Sequence, residues 1–354
     1  MNDYLPIFIF GILIFSFILN TILLKLAENV GIRDNDTVVR WASGNKPALG
    51  GIGFYTIFLI SFVSYLILVD ANSINDNREL VGILVASSLA FLMGLADDAY
   101  NTRPFLKFGV QIICGAILIW SGIYINAFES QNANIALTII WIIAIMNAIN
   151  LLDNMDGITT ITAAFIILGI IGLMMNKEMT EAPQFVLLLG VFTSLIVFLF
   201  FNWSPSKMFM GDTGSQFLGL FLGATSIQYI WNFEPSIGAI FSGKSIYLTL
   251  IVFALPIVDT TVVFVNRIRR GQSPFVGGKD HTSHNLSYIG LSDSQVGLTY
   301  IAISIVNLAL IAYATLGVNN WTNWHGMIYG LYFLLLLTSF FYITYYNRKK
   351  SHDL

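Results

Sequence analysis

The stretch NIALTIIWIIAIMNAINLLDNMDG, residues 134–157, decides how the rest of the chain is read. Residues 134–152 are long and apolar enough to cross a membrane as one helix, for which about 20 residues are needed. Yet the run closes on Asn147, Asn150, Asp153 and Asp156, polar groups that are costly at the edge of hydrocarbon and usually functional there. Asn147, Asn150 and Asp153 recur every three residues, which sets them along one helix face. An Asp cap on a short turn accounts for Asp156 and Gly157. It does not account for the other three. Carboxylates and amides together suit a hard cation with bound phosphates, or the edge of a nucleobase.

The composition extends this reading to the whole chain. Of 354 residues, 56% are hydrophobic and 10% charged, with a mean hydropathy of +0.74, far from the balance of a soluble domain. The fold class expected is all-α, a polytopic integral membrane protein. About eleven transmembrane helices are expected, near 5–25, 48–69, 80–96, 105–122, 134–152, 157–175, 183–202, 213–231, 246–266, 296–317 and 326–346. Gly, Pro, Asn and charged residues mark the breaks. The first apolar run follows MNDY, which lacks a basic leader, so it reads as a span and not a cleaved signal. A net charge of -3 gives no basic field of the kind nucleic acid requires. Cys114 is the single cysteine, which excludes an intrachain disulfide and a Cys-based zinc site.

Lysine and arginine accumulate in short cytoplasmic loops. With these spans, fourteen of the seventeen basic residues fall on one side and Arg78, Lys177 and Lys244 on the other. That asymmetry places the N-terminus outside and the C-terminus in the cytoplasm. It also puts the two longest loops, about 28–47 and 267–295, on the inner face. Residues 1–354 read as a single transmembrane domain with its chemistry expected on that face.

Four polar clusters share the inner face. GLADDAYNTRPFLK, residues 94–107, places Asp97 and Asp98 at a helix end near Arg103 and Lys107. The pair could bind metal or accept a proton beside a phosphate, although a solvated helix end explains it alone. NAINLLDNMDG is the second cluster. FNWSPSKMFMGDTGSQFLG, residues 201–219, sets Gly211 and Asp212 at the start of an apolar helix. Free backbone N–H groups there form an anion site, Asp212 could hold a bridging metal, and Phe209 could stack on a base. The plainer reading is an Asp N-cap followed by small residues at a helix contact. The fourth cluster, residues 255–292, holds an intramembrane Asp259, the run Arg267, Arg269 and Arg270, and His281 with His284. The arginines read as a positive-inside anchor. The histidines suit phosphate contact or acid/base chemistry, and no third nitrogen or sulfur ligand is near for zinc. His325 and His352 read as incidental. Each cluster has a bland explanation alone. Their gathering on one face does not, and phosphates with a divalent cation account for the mixture.

In this order the motifs KPALGG at 46–51, GLADD with Lys107, NAINLLDNMDG, FMGDTGS, LPIVD and SPF with the His segment resemble the polyprenyl-phosphate N-acetylhexosamine-1-phosphate transferases. The resemblance implies that Asp97 and Asp98 form the acidic pair near the lipid phosphate, with Lys107 on a phosphate. It implies Asp212 as ligand of Mg2+, with Mn2+ as the substitute ion. Asp153, Asn202, Phe209 and Gly211 match positions around a uridine, Asn150 and Asp156 polar positions of the same cleft, and His281 and His284 two of three family histidines. Ser283 stands where the middle histidine is usual, Asp280 is a displaced acid, Asn285 replaces a common Arg, and Ala48 with Leu49 replace a Pro-Arg pair. The implied partners are a UDP-N-acetylhexosamine and a polyprenyl phosphate, within the membrane, with a homodimer as the assembly considered. The implied reaction is attack of the lipid phosphate on the β-phosphorus, releasing UMP, with Asp97 or Asp98 as the proton acceptor. A transporter using Asp259 on its path is the alternative. A CDP-alcohol phosphotransferase is set aside, because residues 153–180 lack its acidic pattern.

Overall fold

A computed structural model describes residues 4–30, 46–68, 77–234, 243–273 and 277–352. Most of the first long loop, with Arg33 and Arg40, lies outside them, as do Pro274 and Phe275 of the SPF motif. Every regular element among the described residues is helical. In chain order they are α1 (Leu5–Val30), α2 (Gly50–Leu68), α3 (Arg78–Tyr100), α4 (Pro104–Ser121), α5 (Gln131–Leu152), α6 (Ile158–Asn176), α7 (Pro183–Asn202), α8 (Gly211–Ser226), α9 (Lys244–Val252), α10 (Ala254–Arg269), α11 (Thr282–Tyr288), α12 (Asp293–Ala312) and α13 (Asn323–His352).

Nine helices among the described residues are long and apolar enough to cross a membrane. The pair α9 and α10, bent by 73° at its break, is long and apolar enough only when the two are taken together. Pro256 has no N–H for the carbonyl of Val252, so the helical ladder breaks where the bend falls. Helix α8 is short by itself, but a π-helical turn over Ile227–Trp231 prolongs it without a gap.

Helix α8 is the axis of the fold. Every residue from Thr213 to Ser226 is buried, and buried polar groups among them find partners, Gln216 accepting from Gln111 and Ser226 from Trp141. It lies chiefly between α3 and α5, with α2 on a third side. Phe217 and Phe221 pack edge-on against Phe58 at ring separations of 5.4 and 5.5 Å. Losing a buried aromatic of this kind costs about 3–5 kcal/mol. Small residues set the closest approaches. A Cβ at Gly94 of α3 would lie 2.3 Å from the Asp212 carbonyl oxygen, so only glycine lets α3 reach the start of α8. In this way packing brings the polar ends of α3, α5 and α8 together.

Candidate active site

The polar ends of α3, α4, α5 and α8 form a carboxylate bay. Asn101 closes α3 in the left-handed conformation, φ 49°, which asparagine adopts more readily than most residues. Pro104 then opens α4 in its favoured first position. This tight connection returns Lys107 beside Asp97. The Lys107 ammonium pairs with Asp97 and with Asp212 Oδ2, at 3.0 Å from the latter, so it sits between the two carboxylates. Thr102 donates to Asp97 Oδ1 from its N–H at 2.8 Å and its hydroxyl at 2.5 Å. From α5, the Asn150 amide donates to Asp212 Oδ1 and to Ser215 Oγ, both at 2.8 Å. Below it, Asn147 donates to Gln111 at 2.8 Å.

Asp98 has a different task. Its Oδ1 accepts the Asp212 N–H at 2.8 Å, and its Oδ2 accepts the N–H and hydroxyl of Thr213 at 2.9 and 2.6 Å. No side chain at Met210 caps α8, so Asp98 satisfies the orphan donors of that helix from across the bay, where a negative charge also complements the helix dipole. Gly211 makes this possible. Its φ is +74°, and a Cβ there would meet Asp98 Oδ2 at 2.7 Å.

A second polar group lies where the segment before α2 meets the loop before α8. Phe209 N–H donates to the Pro47 carbonyl at 2.9 Å, and Gly50 N–H returns to the Phe209 carbonyl at 3.0 Å. Asp156 accepts from the N–H and hydroxyl of Ser206 at 2.9 and 2.8 Å, with Lys46 Nζ 3.5 Å away. Lys46 also stands 5.2 Å from the centre of the Phe209 ring. Asn202 is buried and accepts from Gly157 N–H at 3.1 Å and Thr160 at 2.7 Å, while its amide donates to the Met208 carbonyl at 2.9 Å. It pins the DNMDG turn to the loop before α8. Asp153 lies half-buried in that turn.

The histidine segment is anchored by Asp259. His281 Nδ1 stands 2.8 Å from Asp259 Oδ2. Because a carboxylate only accepts, Nδ1 carries the hydrogen. Asp259 Oδ1 also caps α11, accepting from Thr282 N–H at 2.7 Å and its hydroxyl at 2.6 Å. His284 is buried, with its ring centre 5.7 Å from that of His281. Burial, reinforced by the charge of His281, holds the His284 imidazole down at about 4. Ser283, at the place of the middle histidine, donates to Asn154 Oδ1 at 2.5 Å and so joins α11 to the DNMDG turn. Arg267 grips Asp280 with two bonds of 3.0 and 2.6 Å, and Arg270 joins it. Burial alone would raise the Asp280 carboxyl, but the two guanidiniums outweigh it and hold it below the ordinary range. Two of the three arginines read as a charge anchor are therefore clamps on the His segment.

Thus Asp97, Asp98, Lys107, Asn150, Gly211 and Asp212 converge, Asp156, Asn202 and Phe209 form the adjoining group, and His281 with His284 stand in a third. Sequence reasoning missed Thr102, Ser206, Lys46 and the contact of Ser283 with Asn154. Only Lys46 carried a signal, as the lysine that opens KPALGG.

The bay has the donors for a hard cation. All its oxygens are carboxylate, amide or hydroxyl, and it already holds one cation, the Lys107 ammonium, between Asp97 and Asp212. No three His, Cys, Asp or Glu side chains among the described residues converge on one point. That count suits an ion that takes one or two carboxylates and completes its shell with phosphates and water.

Fold and site together define an all-helical, multi-pass membrane protein with an acidic, lysine-bearing bay where its helix ends meet. Its residues 80–230 match glycosyl transferase family 4. It is 30% identical to a decaprenyl-phosphate N-acetylglucosaminephosphotransferase of Mycobacterium leprae, over 73% of this chain and 71% of that one. It is 28% identical to a probable undecaprenyl-phosphate N-acetylglucosaminyl 1-phosphate transferase of Bacillus subtilis, over 82% and 79%. An undecaprenyl-phosphate alpha-N-acetylglucosaminyl 1-phosphate transferase of Escherichia coli O157:H7 is 23% identical over 90% and 83%. The chain belongs to glycosyl transferase family 4 and is a phosphoglycosyl transferase.

Proposed function

We propose that the protein transfers N-acetylglucosamine 1-phosphate from UDP-N-acetylglucosamine to a polyprenyl phosphate, undecaprenyl phosphate first among them. UMP is released, and the product is the first lipid-linked intermediate of a cell-envelope polysaccharide. One observation carries the reading: Lys107 bridges Asp97 and Asp212 while Asn150 orients Asp212. The bay therefore has donors and charge for two phosphorylated substrates at a membrane surface.

In the reaction, an oxygen of the lipid phosphate bonds to the β-phosphorus of the nucleotide sugar. The bond from that phosphorus to the bridging oxygen breaks, and its electron pair leaves with UMP. The transferred group needs positioning and charge compensation more than covalent help. Asp212, oriented by Asn150, would hold Mg2+, which when bound supplies positive charge to the diphosphate. Lys107 offers a second positive charge to a phosphate oxygen. Asp97 is the acceptor for any proton on the lipid phosphate, a modest role because a phosphate monoester with a second pKa of about 6 is largely dianionic at pH 7. Asp98 positions the start of α8. Asp153, Asp156 and Phe209 line the nucleotide side, where Asn202 holds the wall in place. His281 and His284 close the far side on α11.

The chain is proposed as a single domain crossing the membrane eleven times, N-terminus outside and C-terminus in the cytoplasm, in the plasma membrane with the bay facing inward. The basic-residue asymmetry supports this, as does the run Gly211–Trp231, which counts as a crossing once its π turn is included. A homodimer is the assembly proposed. The transporter alternative loses its main support, since Asp259 is committed to His281 and to capping α11. A panel of UDP-sugars given to the purified protein with undecaprenyl phosphate and Mg2+, read by mass spectrometry of the lipid product, tests the sugar. The N-acetylglucosamine adduct is expected to dominate, and an exclusive product from another sugar overturns the assignment.

A further inference from the structure

Behind α11, on the side away from Asn154, a cavity of about 770 Å3 opens between the end of α10 and the last turns of α13. Two contacts show that this is a different face. Ser283 points to Asn154 and the cleft, whereas Asn285 accepts the Asn347 amide of α13 at 3.1 Å and lines the cavity. None of Asp97, Lys107, Asn150 or Asp212 lines it.

Its charge is distinctive in a chain of net charge -3. Arg269, Arg270, Lys279 and Arg348 line it, with Asp280 as the one acidic group among the described residues, and Asp280 is already balanced from behind by buried Arg267. Two of the cations are held in place: Arg270 is fixed by Asp280, and Arg269 lies 6.0 Å from the centre of the Phe341 ring. Tyr288, Phe341, Tyr342 and Tyr345 supply an aromatic part of the wall, Tyr342 and Tyr345 being exposed, and Asn266, Asn285, Thr344 and Asn347 a neutral polar part. Arg269 ends α10 and Arg348 ends the run of α13 that is apolar enough to cross a membrane, and the end of such a run is the level where acyl chains give way to headgroups. Aromatic residues gather at that level, and basic pockets between helices there take anionic headgroups.

We propose that this cavity is a binding site for the headgroup of an anionic phospholipid, separate from the carboxylate bay. The phosphate lies among Arg269, Arg270, Lys279 and Arg348, and the glycerol backbone lies against Phe341 and Tyr345. The inference depends on no step of the proposed reaction, so it stands or falls by binding alone.

The full-length protein is reconstituted in nanodiscs of equal phosphatidylglycerol and phosphatidylcholine, and retained lipid is read by native mass spectrometry after release into detergent. The intact protein is expected to retain phosphatidylglycerol preferentially. The variant R269Q/K279Q/R348Q, which leaves the Arg267–Asp280–Arg270 clamp intact, is expected to lose that preference by about tenfold or more. R269K/K279R/R348K is expected to restore it, which separates loss of charge from loss of fold. The control K25Q/R103Q/K207Q removes equal charge elsewhere and is expected to keep it. Equal retention by the intact protein and R269Q/K279Q/R348Q overturns the proposal, as does a loss of equal size in the control. Displacement of the lipid by millimolar glycerol 3-phosphate also overturns it, since the site would then be one for a soluble phosphate.

Discussion

Asp98 caps the helix that carries Asp212, its Oδ1 accepting the Asp212 N–H at 2.8 Å from a position 114 residues earlier in the chain. Two adjacent aspartates at one helix end thereby divide their work. Asp97 faces Lys107 and the bay, while Asp98 faces backbone donors. Replacing the capping carboxylate with alanine removes three acceptor contacts, and losing a helix cap costs about 1–2 kcal/mol. Asp98→Ala is expected to lower the melting temperature in detergent, with Asp98→Asn intermediate because its amide oxygen still accepts. A melting temperature unchanged in Asp98→Ala refutes the cap.

Gly211 tests the same relationship from the other side. Gly211→Ala places a methyl group 2.7 Å from Asp98 Oδ2 at a positive φ, so strain and the lost cap add. Thermal stability and turnover are both expected to fall, and Asp98→Ala combined with Gly211→Ala is expected to be less damaging than the sum, since the clash has lost its partner.

At the bay, Asp212→Asn and Lys107→Gln each remove a charge without removing bulk. Loss of one preorganised charge contact costs about 100- to 1000-fold in rate. The expectation for Asp212→Asn is a fall of that order with the protein still folded. Chelation by EDTA is expected to stop turnover of the intact protein, and excess Mg2+ to restore it. Turnover of Asp212→Asn near that of the intact protein would remove this residue from the metal site.

His284 gives the acid side of the stability profile. Its imidazole is held at about 4 in the folded chain, below the ordinary value of about 6.5. The unfolded chain therefore binds the proton more readily, and stability rises with pH across this range. The contribution is full above about 6.5 and is lost as pH falls toward 4, a loss of up to about 3 kcal/mol. Melting temperatures between pH 7 and 5 are expected to decline for the intact protein and to decline less for His284→Gln. Parallel declines rule out the buried histidine as their source.

Much of this was legible in the sequence because the membrane constrains it. Apolar runs marked the helices, and polar residues at the end of such runs pointed to Asp97, Asn150 and Asp212. Boundaries were harder. The bend at Phe253 follows from Pro256, which a hydropathy window does not register, and the π turn at Ile227–Trp231 has no sequence signal in an unbroken apolar run. The division of labour between Asp97 and Asp98 was not legible, because adjacent residues on a helix point in different directions and their partners lie elsewhere in the chain. Nor was the hold of Asp259 on His281. An isolated intramembrane carboxylate suggests a path for ions until its partner across the fold is seen.

The central claim is tested most directly by UMP release from the purified protein in the presence of Mg2+. The account predicts that UMP appears only when UDP-N-acetylglucosamine and undecaprenyl phosphate are both supplied, in step with the lipid-linked product. UMP release that proceeds equally without the lipid phosphate, or its absence when both substrates are present, would contradict it.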